Sequence, residues 1–147
     1  MQTKRMIPHR VNLLALLLDR EADRLLQRQY QLSYHEYLVL LAIAQHEGAQ
    51  QTVLVEFVGL SKGAVSKLLA ILVSRELVRI QPSPTSRRSN GVCFTKKGRQ
   101  QTAAASAMLE KVFMAFFDRI ATHQEIGQFS RMLDVLIEKF HLITDQQ

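Results

Sequence analysis

Gly59-Leu60-Ser61 closes one apolar stretch and opens another, and this junction constrains the fold more tightly than any other part of the chain. Before it, Thr52-Val53-Leu54-Val55-Glu56-Phe57-Val58 is short and apolar. Alone it suits a strand as well as a helix, since Val and Phe favour strands. After it, Leu60 to Leu72 reads as a helix. Gly59 interrupts the chain, and the Ser61 side chain can accept from the orphan N–H groups of a first turn. Val65, Leu68, Leu69 and Leu72 fall at i, i+3, i+4 and i+7, which makes one apolar stripe. A short apolar segment, a Gly turn and a capped helix in succession fit a helix-turn-helix better than a strand.

At roughly 100° per residue, Gly63, Ser66, Lys67, Ala70 and Ser74 lie opposite that stripe. This face carries small residues and one long cation, where a solvated face is richer in Glu and Lys pairs. Small residues let the backbone approach a neighbour closely, and a DNA major groove accepts a helix at that distance. An ordinary amphipathic surface helix is the plainer alternative, and charge separates the two. From Ser61 to Arg99 there are nine basic residues and one acid, Glu76, for +8, while the rest of the chain carries −2 and the whole +6. Charge of one sign gathered in one segment is the footprint of a polyanion-binding face.

Downstream, Leu77-Val78-Arg79-Ile80-Gln81 alternates apolar and polar and reads as a short strand. Pro82 to Asn90 is rich in breakers and polar residues and reads as a loop. Gly91-Val92-Cys93-Phe94-Thr95 reads as a second strand, with Thr95 placed to cap a helix from Lys96. The expected hairpin thus presents Arg87 and Arg88 near its tip. Asn90-Gly91 is itself a two-residue hairpin signal, so a later tip stays open.

On these residues, about Thr52 to Arg99 resembles the winged helix-turn-helix of the multiple-antibiotic-resistance regulator (MarR) family. The matching pieces are Leu60 to Leu69, the strand Leu77-Val78-Arg79-Ile80, the wing Ser86-Arg87-Arg88, and its exit Phe94-Thr95-Lys96-Lys97-Gly98-Arg99. The sequence departs from the family pattern twice. Ser86 stands where the family usually has an acid that pairs with the wing arginine, and Glu76 stands where it often has Gly. The resemblance implies a sequence-specific, DNA-binding transcriptional regulator of the repressor type that binds a pseudo-palindromic operator as a homodimer. It places Lys62, Gly63, Ser66 and Lys67 nearest the DNA, Ser61 at the helix cap, and Arg87 and Arg88 at the adjacent minor groove or its phosphates.

The implied fold is mostly α with a small β-wing: a winged helix-turn-helix flanked by N- and C-terminal dimerisation helices. At 147 residues the chain suits one domain, 1–147, with dimerisation helices over 9–31 and 97–147 and the helix-turn-helix and wing over 34–96. The first helix, His9 to Gln31, is apolar on most sides through Leu18, which predicts burial between several neighbours. Ser33-Tyr34-His35-Glu36 and Thr122-His123-Gln124-Glu125 are capping boxes. The first opens a helix running to about His46, with Gly48 as its stop. The second opens a last helix with Phe129, Met132, Leu133, Leu136, Phe140 and Ile143 on one stripe. Between the wing and this box, a long helix from about Lys97 to Ala121 carries Met108, Val112, Phe113 and Phe116. The terminal helices hold more apolar surface than a small winged unit needs. Pairing with a second copy would cover it, and twofold dimers are the commonest oligomers.

Tyr30, Tyr34 and Tyr37 fall close together with His35. The family often binds small aromatic or phenolic effectors in a crevice near this region, whereas the plainer reading is that the rings pack at a helix junction. Leu13 to Leu18 is too short for a membrane span and lacks a cleavage site, so a cytoplasmic protein is expected. The lone Cys93 excludes an intrachain disulfide and reads as a small buried thiol. Five histidines show no metal-ligand spacing, and no phosphate loop or nucleophile elbow appears. Neither a cofactor, a metal nor an enzymatic activity is therefore expected. Two rivals remain: an antirepressor-type winged module that binds protein, disfavoured by the +8 segment, and a sequence-neutral architectural DNA binder.

Overall fold

The computed structural model describes the backbone of residues 6–83 and 86–144, with side chains over 6–82 and 90–140. Among these residues it has six helices and one antiparallel hairpin. They are α1 (Ile7–Tyr30), α2 (Tyr34–Gln45), α3 (Gln51–Val58), α4 (Lys62–Ser74), β1 (Val78–Ser83), β2 (Ser86–Phe94), α5 (Lys96–Ile120) and α6 (His123–Thr144). The architecture is mostly α with a small wing, as expected. Two compact units divide the chain, one to Ala107 and one from Met108. The core of the first is built from Leu26, Leu32, Leu40, Ile43, Leu54, Val65, Leu72 and Leu77, all essentially inaccessible to water.

Local chemistry sets the helix ends. The Ser33–Glu36 capping box forms as expected: Glu36 N–H donates to Ser33 Oγ at 3.1 Å, and Ser33 N–H to the Glu36 carboxylate at 2.6 Å. Thr122 and Glu125 repeat it at the head of α6. Gly59 closes α3 at φ +70, the left-handed conformation that glycine adopts without a Cβ penalty. The segment Thr52–Val58 is therefore helical, because its apolar side packs on α2 and α4. α1 ends in the simpler αL motif, with Gln31 N–H reaching the Gln27 carbonyl at 3.1 Å, and α4 ends in a Schellman motif. At the end of α4, Leu77 N–H reaches the Leu72 carbonyl and Glu76 N–H the Val73 carbonyl, both at 2.9 Å. This puts Glu76 at φ +58, in the position where glycine would be unstrained.

Two expectations are corrected. Pro82 to Asn90 is not one loop: β1 runs on to Ser83 and β2 begins at Ser86. A two-stranded ribbon consists only of edges, so Pro82 fits where its missing N–H removes no necessary ladder bond. Pro82 faces Asn90, but Ser83 faces Ser86, so the register jumps and Arg87-Arg88-Ser89 form a bulged excursion in β2. Asn90-Gly91 accordingly lies within the strand and not at the tip. Gly91 answers to close packing instead, since a Cβ there would overlap the Gly48 carbonyl.

The second correction concerns α1. Only Ala22 and Leu26 in this helix are buried. Ile7, Val11, Leu13, Leu14, Leu16 and Leu17 are exposed, each between 37 and 52%. The pattern that predicted burial is real, but among the described residues of the first unit nothing covers it.

Candidate nucleic-acid interface

The helix-turn-helix is built from α3 and α4. Ser61 caps α4, accepting from Ala64 N–H at 3.2 Å through its Oγ. The apolar stripe turns inward as predicted, with Val65, Leu69 and Leu72 buried and Leu68 half-buried. The opposite side faces water: Ser61, Lys62, Gly63, Ser66 and Lys67 are all exposed. A Cβ added at Gly63 would meet nothing within 4 Å, so the backbone there is open to close approach from outside. The structure thus brings these five predicted residues together on the first two turns of one helix.

One residue that sequence reasoning missed acts on this face. Gln51, the first residue of α3, donates through its side-chain amide to Ser66 Oγ at 2.6 Å and to the Lys62 carbonyl at 3.2 Å. Only a polar residue just ahead of an apolar run marked it in the sequence.

The wing is fastened at its base. Gly48 N–H donates to the Val92 carbonyl at 2.9 Å and Val92 N–H to the Ala49 carbonyl at 3.0 Å, so the α2–α3 loop pairs with β2. Glu47 accepts from Phe94 N–H at 3.2 Å and from Arg99 through both carboxylate oxygens, at 2.6 and 2.7 Å. Its hydrogen bonds to Arg99 hold the Glu47 carboxyl below its ordinary range. Thr95 Oγ1 caps α5 by accepting from Gly98 N–H at 3.0 Å, as predicted, and donates to the Glu76 and Leu77 carbonyls. Cys93 is buried, with the Gln81 amide donating to its Sγ at 3.0 Å. Arg87 and Arg88 lie on the bulged part of β2, and their side chains fall outside the described residues.

Not all of the basic segment is available to a partner. Arg75, at the end of α4, donates to the Gln31 carbonyl at 2.7 Å and the Tyr30 carbonyl at 3.2 Å, and sits 3.5 Å from the Glu36 carboxylate. It supplies donors to the last carbonyls of α1, which no helical N–H can reach. Lys97 donates to the Arg75 carbonyl at 2.9 Å.

The tyrosines differ in burial and in partners, and Tyr34 and Tyr37 lie near enough to interact electrostatically. Tyr37 is buried, its hydroxyl 3.0 Å from Ser106 Oγ. Tyr34 is half-buried, and burial, with the carboxylate of Asp19 beside it, pushes its phenol up to about 12. His35 is exposed, its ring 6.3 Å from that of Tyr34, and Tyr30 contributes its carbonyl to Arg75 and Gln101.

Comparison with known proteins agrees with the architecture. Residues 30–89 match the family model described as MarR family. The transcriptional regulator HosA of Escherichia coli O111:H- is 30% identical over 90 residues, which cover 61% of this chain and 67% of that protein. A MarR/EmrR family transcriptional regulator from Acinetobacter sp. ADP1 superposes with a TM-score of 0.81 at 16% identity, covering 98% of both chains. Sco3205, a MarR family transcriptional regulator from Streptomyces coelicolor solved in complex with DNA, gives 0.79 at 17% identity, covering 95% of this chain and 88% of that one.

Proposed function

Because the chain belongs to the MarR family of transcriptional regulators, we propose that it is a cytoplasmic homodimeric repressor that binds a pseudo-palindromic operator. In this reading α4 of each protomer enters the major groove with Lys62, Gly63, Ser66 and Lys67 nearest the bases. Ser61 lies at the phosphate edge, and Arg87 and Arg88 reach the neighbouring minor groove or its backbone. The observation that carries the reading is the exposed small-residue face of α4, open above Gly63 and set in a segment of +8. A protein-binding winged module would have no use for that charge.

Dimerisation is supported by apolar surface left wet on both compact units. In the first it lies on α1. In the second, Phe116, Ile120, Phe129, Met132, Val135 and Ile137 are 45 to 63% exposed. At about 25 cal/mol per Å², exposed helix faces of this extent strongly favour a second copy as cover. A dimer seated on a promoter represses by occupying the ground that polymerase needs.

Selection of bound DNA from a random pool, followed by footprinting, tests the reading. We expect a pseudo-palindrome with half-sites about 10 bp apart. Gly63→Glu should abolish binding while the dimer still elutes normally by size exclusion. A Gly63→Glu protein with wild-type affinity would remove α4 from the groove. Equal affinity for unrelated DNA would make the protein a sequence-neutral binder.

A further inference from the structure

Gln51 lies outside α4, yet its side chain narrows what one residue of that helix can offer to a partner. An amide side chain can present either its oxygen or its nitrogen to a neighbour, and the two are told apart by the hydrogen-bond network. Here the network decides. The Lys62 main-chain carbonyl, 3.2 Å away, can only accept, so the group facing it is the Gln51 nitrogen. The second proton on that nitrogen points at Ser66 Oγ, 2.6 Å away. Ser66 therefore accepts from Gln51, and among the described residues no group takes the Ser66 hydroxyl proton. That proton is left for a partner outside the chain, on an exposed residue of the face that carries Gly63 and Lys67.

Resting on the reading of α4 as the groove-entering helix, we propose that Gln51 is a specificity-determining positioning residue. By taking one of the two lone pairs of the Ser66 oxygen, it biases the hydroxyl towards donating and favours a base that presents an acceptor in the major groove. The acceptors there are guanine O6 and N7, adenine N7 and thymine O4, whereas cytosine offers the N4 amino group, a donor. A serine free to rotate would serve either kind and discriminate little. Serine held by Gln51 meets guanine or thymine with its O–H, and has a single remaining lone pair, which must also be aimed correctly, for the amino group of cytosine.

The test uses the full-length protein and its selected operator, varying each half-site position to all four bases. The readout is the ratio of affinities for guanine or thymine over cytosine at the position that Ser66→Ala affects. A ratio on one folded protein cancels any general loss of stability or affinity. Wild type should prefer the acceptor base about five- to tenfold, the worth of one well-placed hydrogen bond. Ser66→Ala and Gln51→Ala should each bring the ratio close to one. In the Ser66→Ala background, Gln51→Ala should change it no further. Gln51→Glu, nearly the same shape but an acceptor, should lower the ratio at least as far as Gln51→Ala. A wild-type ratio in either Gln51 variant overturns the proposal, as does a further change in the double mutant, which would mean that Gln51 reads a base itself. If Ser66→Ala leaves every ratio unchanged, the proposal falls too. Gly63→Glu then tells whether the groove reading falls with it: abolished binding leaves α4 in the groove, retained binding removes it.

Discussion

Replacing Glu76 by glycine should stabilise this protein. Glu76 occupies the left-handed position of the Schellman motif that ends α4, at φ +58. A residue with a Cβ is strained there by about 1–2 kcal/mol, from the approach of Cβ to the following carbonyl. Glycine removes that strain but gives the unfolded chain more freedom, which costs about 0.4–1 kcal/mol. The net gain is about 0.5–1 kcal/mol, or roughly 2–3 °C in Tm for a chain of this size. The backbone bonds that fix the turn do not depend on the side chain: Glu76 N–H to the Val73 carbonyl, and Thr95 Oγ1 to the Glu76 carbonyl at 2.6 Å. Glu76 is also the lone acid of the basic segment, so its removal changes charge as well as strain. Glu76→Ala separates the two, since it removes the charge but keeps the Cβ. Urea unfolding at one fixed protein concentration, as any dimer requires, should rank Gly above Glu and put Ala no higher than Glu. Gly and Ala variants of equal stability would refute the strain argument.

Other substitutions follow from the same geometry. Gly98→Ala should cost about 3 kcal/mol in denaturant unfolding, because its Cβ would overlap the Leu77 carbonyl and push the head of α5 off β1; a near-neutral variant would show that this approach can relax. Gly63→Ala should do the reverse, gaining up to about 1 kcal/mol of helix propensity while weakening operator binding in a gel-shift titration. Changing Arg87 and Arg88 together to Ala should leave folding intact and flatten the log–log salt dependence of binding, by about one for each phosphate no longer neutralised; an unchanged slope would place the wing off the DNA. Glu47, held below its ordinary value of 4.5, contributes stability that is complete above that pH and is lost as pH falls through its folded value. Glu47→Gln should therefore lessen the loss of stability on acidification below pH 4.5, read as the pH dependence of the urea midpoint.

Much of this fold is written in short signals whose chemistry is local. Ser33 and Glu36, Thr122 and Glu125, Ser61, and Thr95 each satisfy N–H groups within three residues of themselves, so they act the same way wherever the helix lies. The wing was harder to read because its strands are not specified locally. Pro82 and Asn90 have poor strand propensity and are extended because they face each other across a ribbon, as Ser83 faces Ser86. Gly91 illustrates the same difficulty: beside Asn90 it mimics a turn signal, but it is small because Gly48 approaches it from a loop more than forty residues earlier. Gln51 was invisible for the same reason, since its partners Lys62 and Ser66 become neighbours only when α3 folds against α4.

Charge shows how a composition argument overstates what a fold leaves available to a partner. All nine bases between Ser61 and Arg99 count equally in a composition argument. In the folded chain Arg75 holds the C-terminal carbonyls of α1, Lys97 holds the carbonyl of Arg75, and Arg99 is neutralised by Glu47. These three are engaged in joining α1, α4, the wing base and α5. Lys62, Lys67, Arg79 and Lys96 are exposed, and Arg87 and Arg88 belong to the wing. Within this segment the cations left for phosphate therefore number six and not nine, and the segment's share of the salt dependence of operator binding falls accordingly. Yet the three engaged cations still bear on the proposed interface indirectly. They fix the angle at which α4 and the wing are presented together, and on the proposed reading, with helix and wing in adjacent grooves at once, that angle matters as much as the charge.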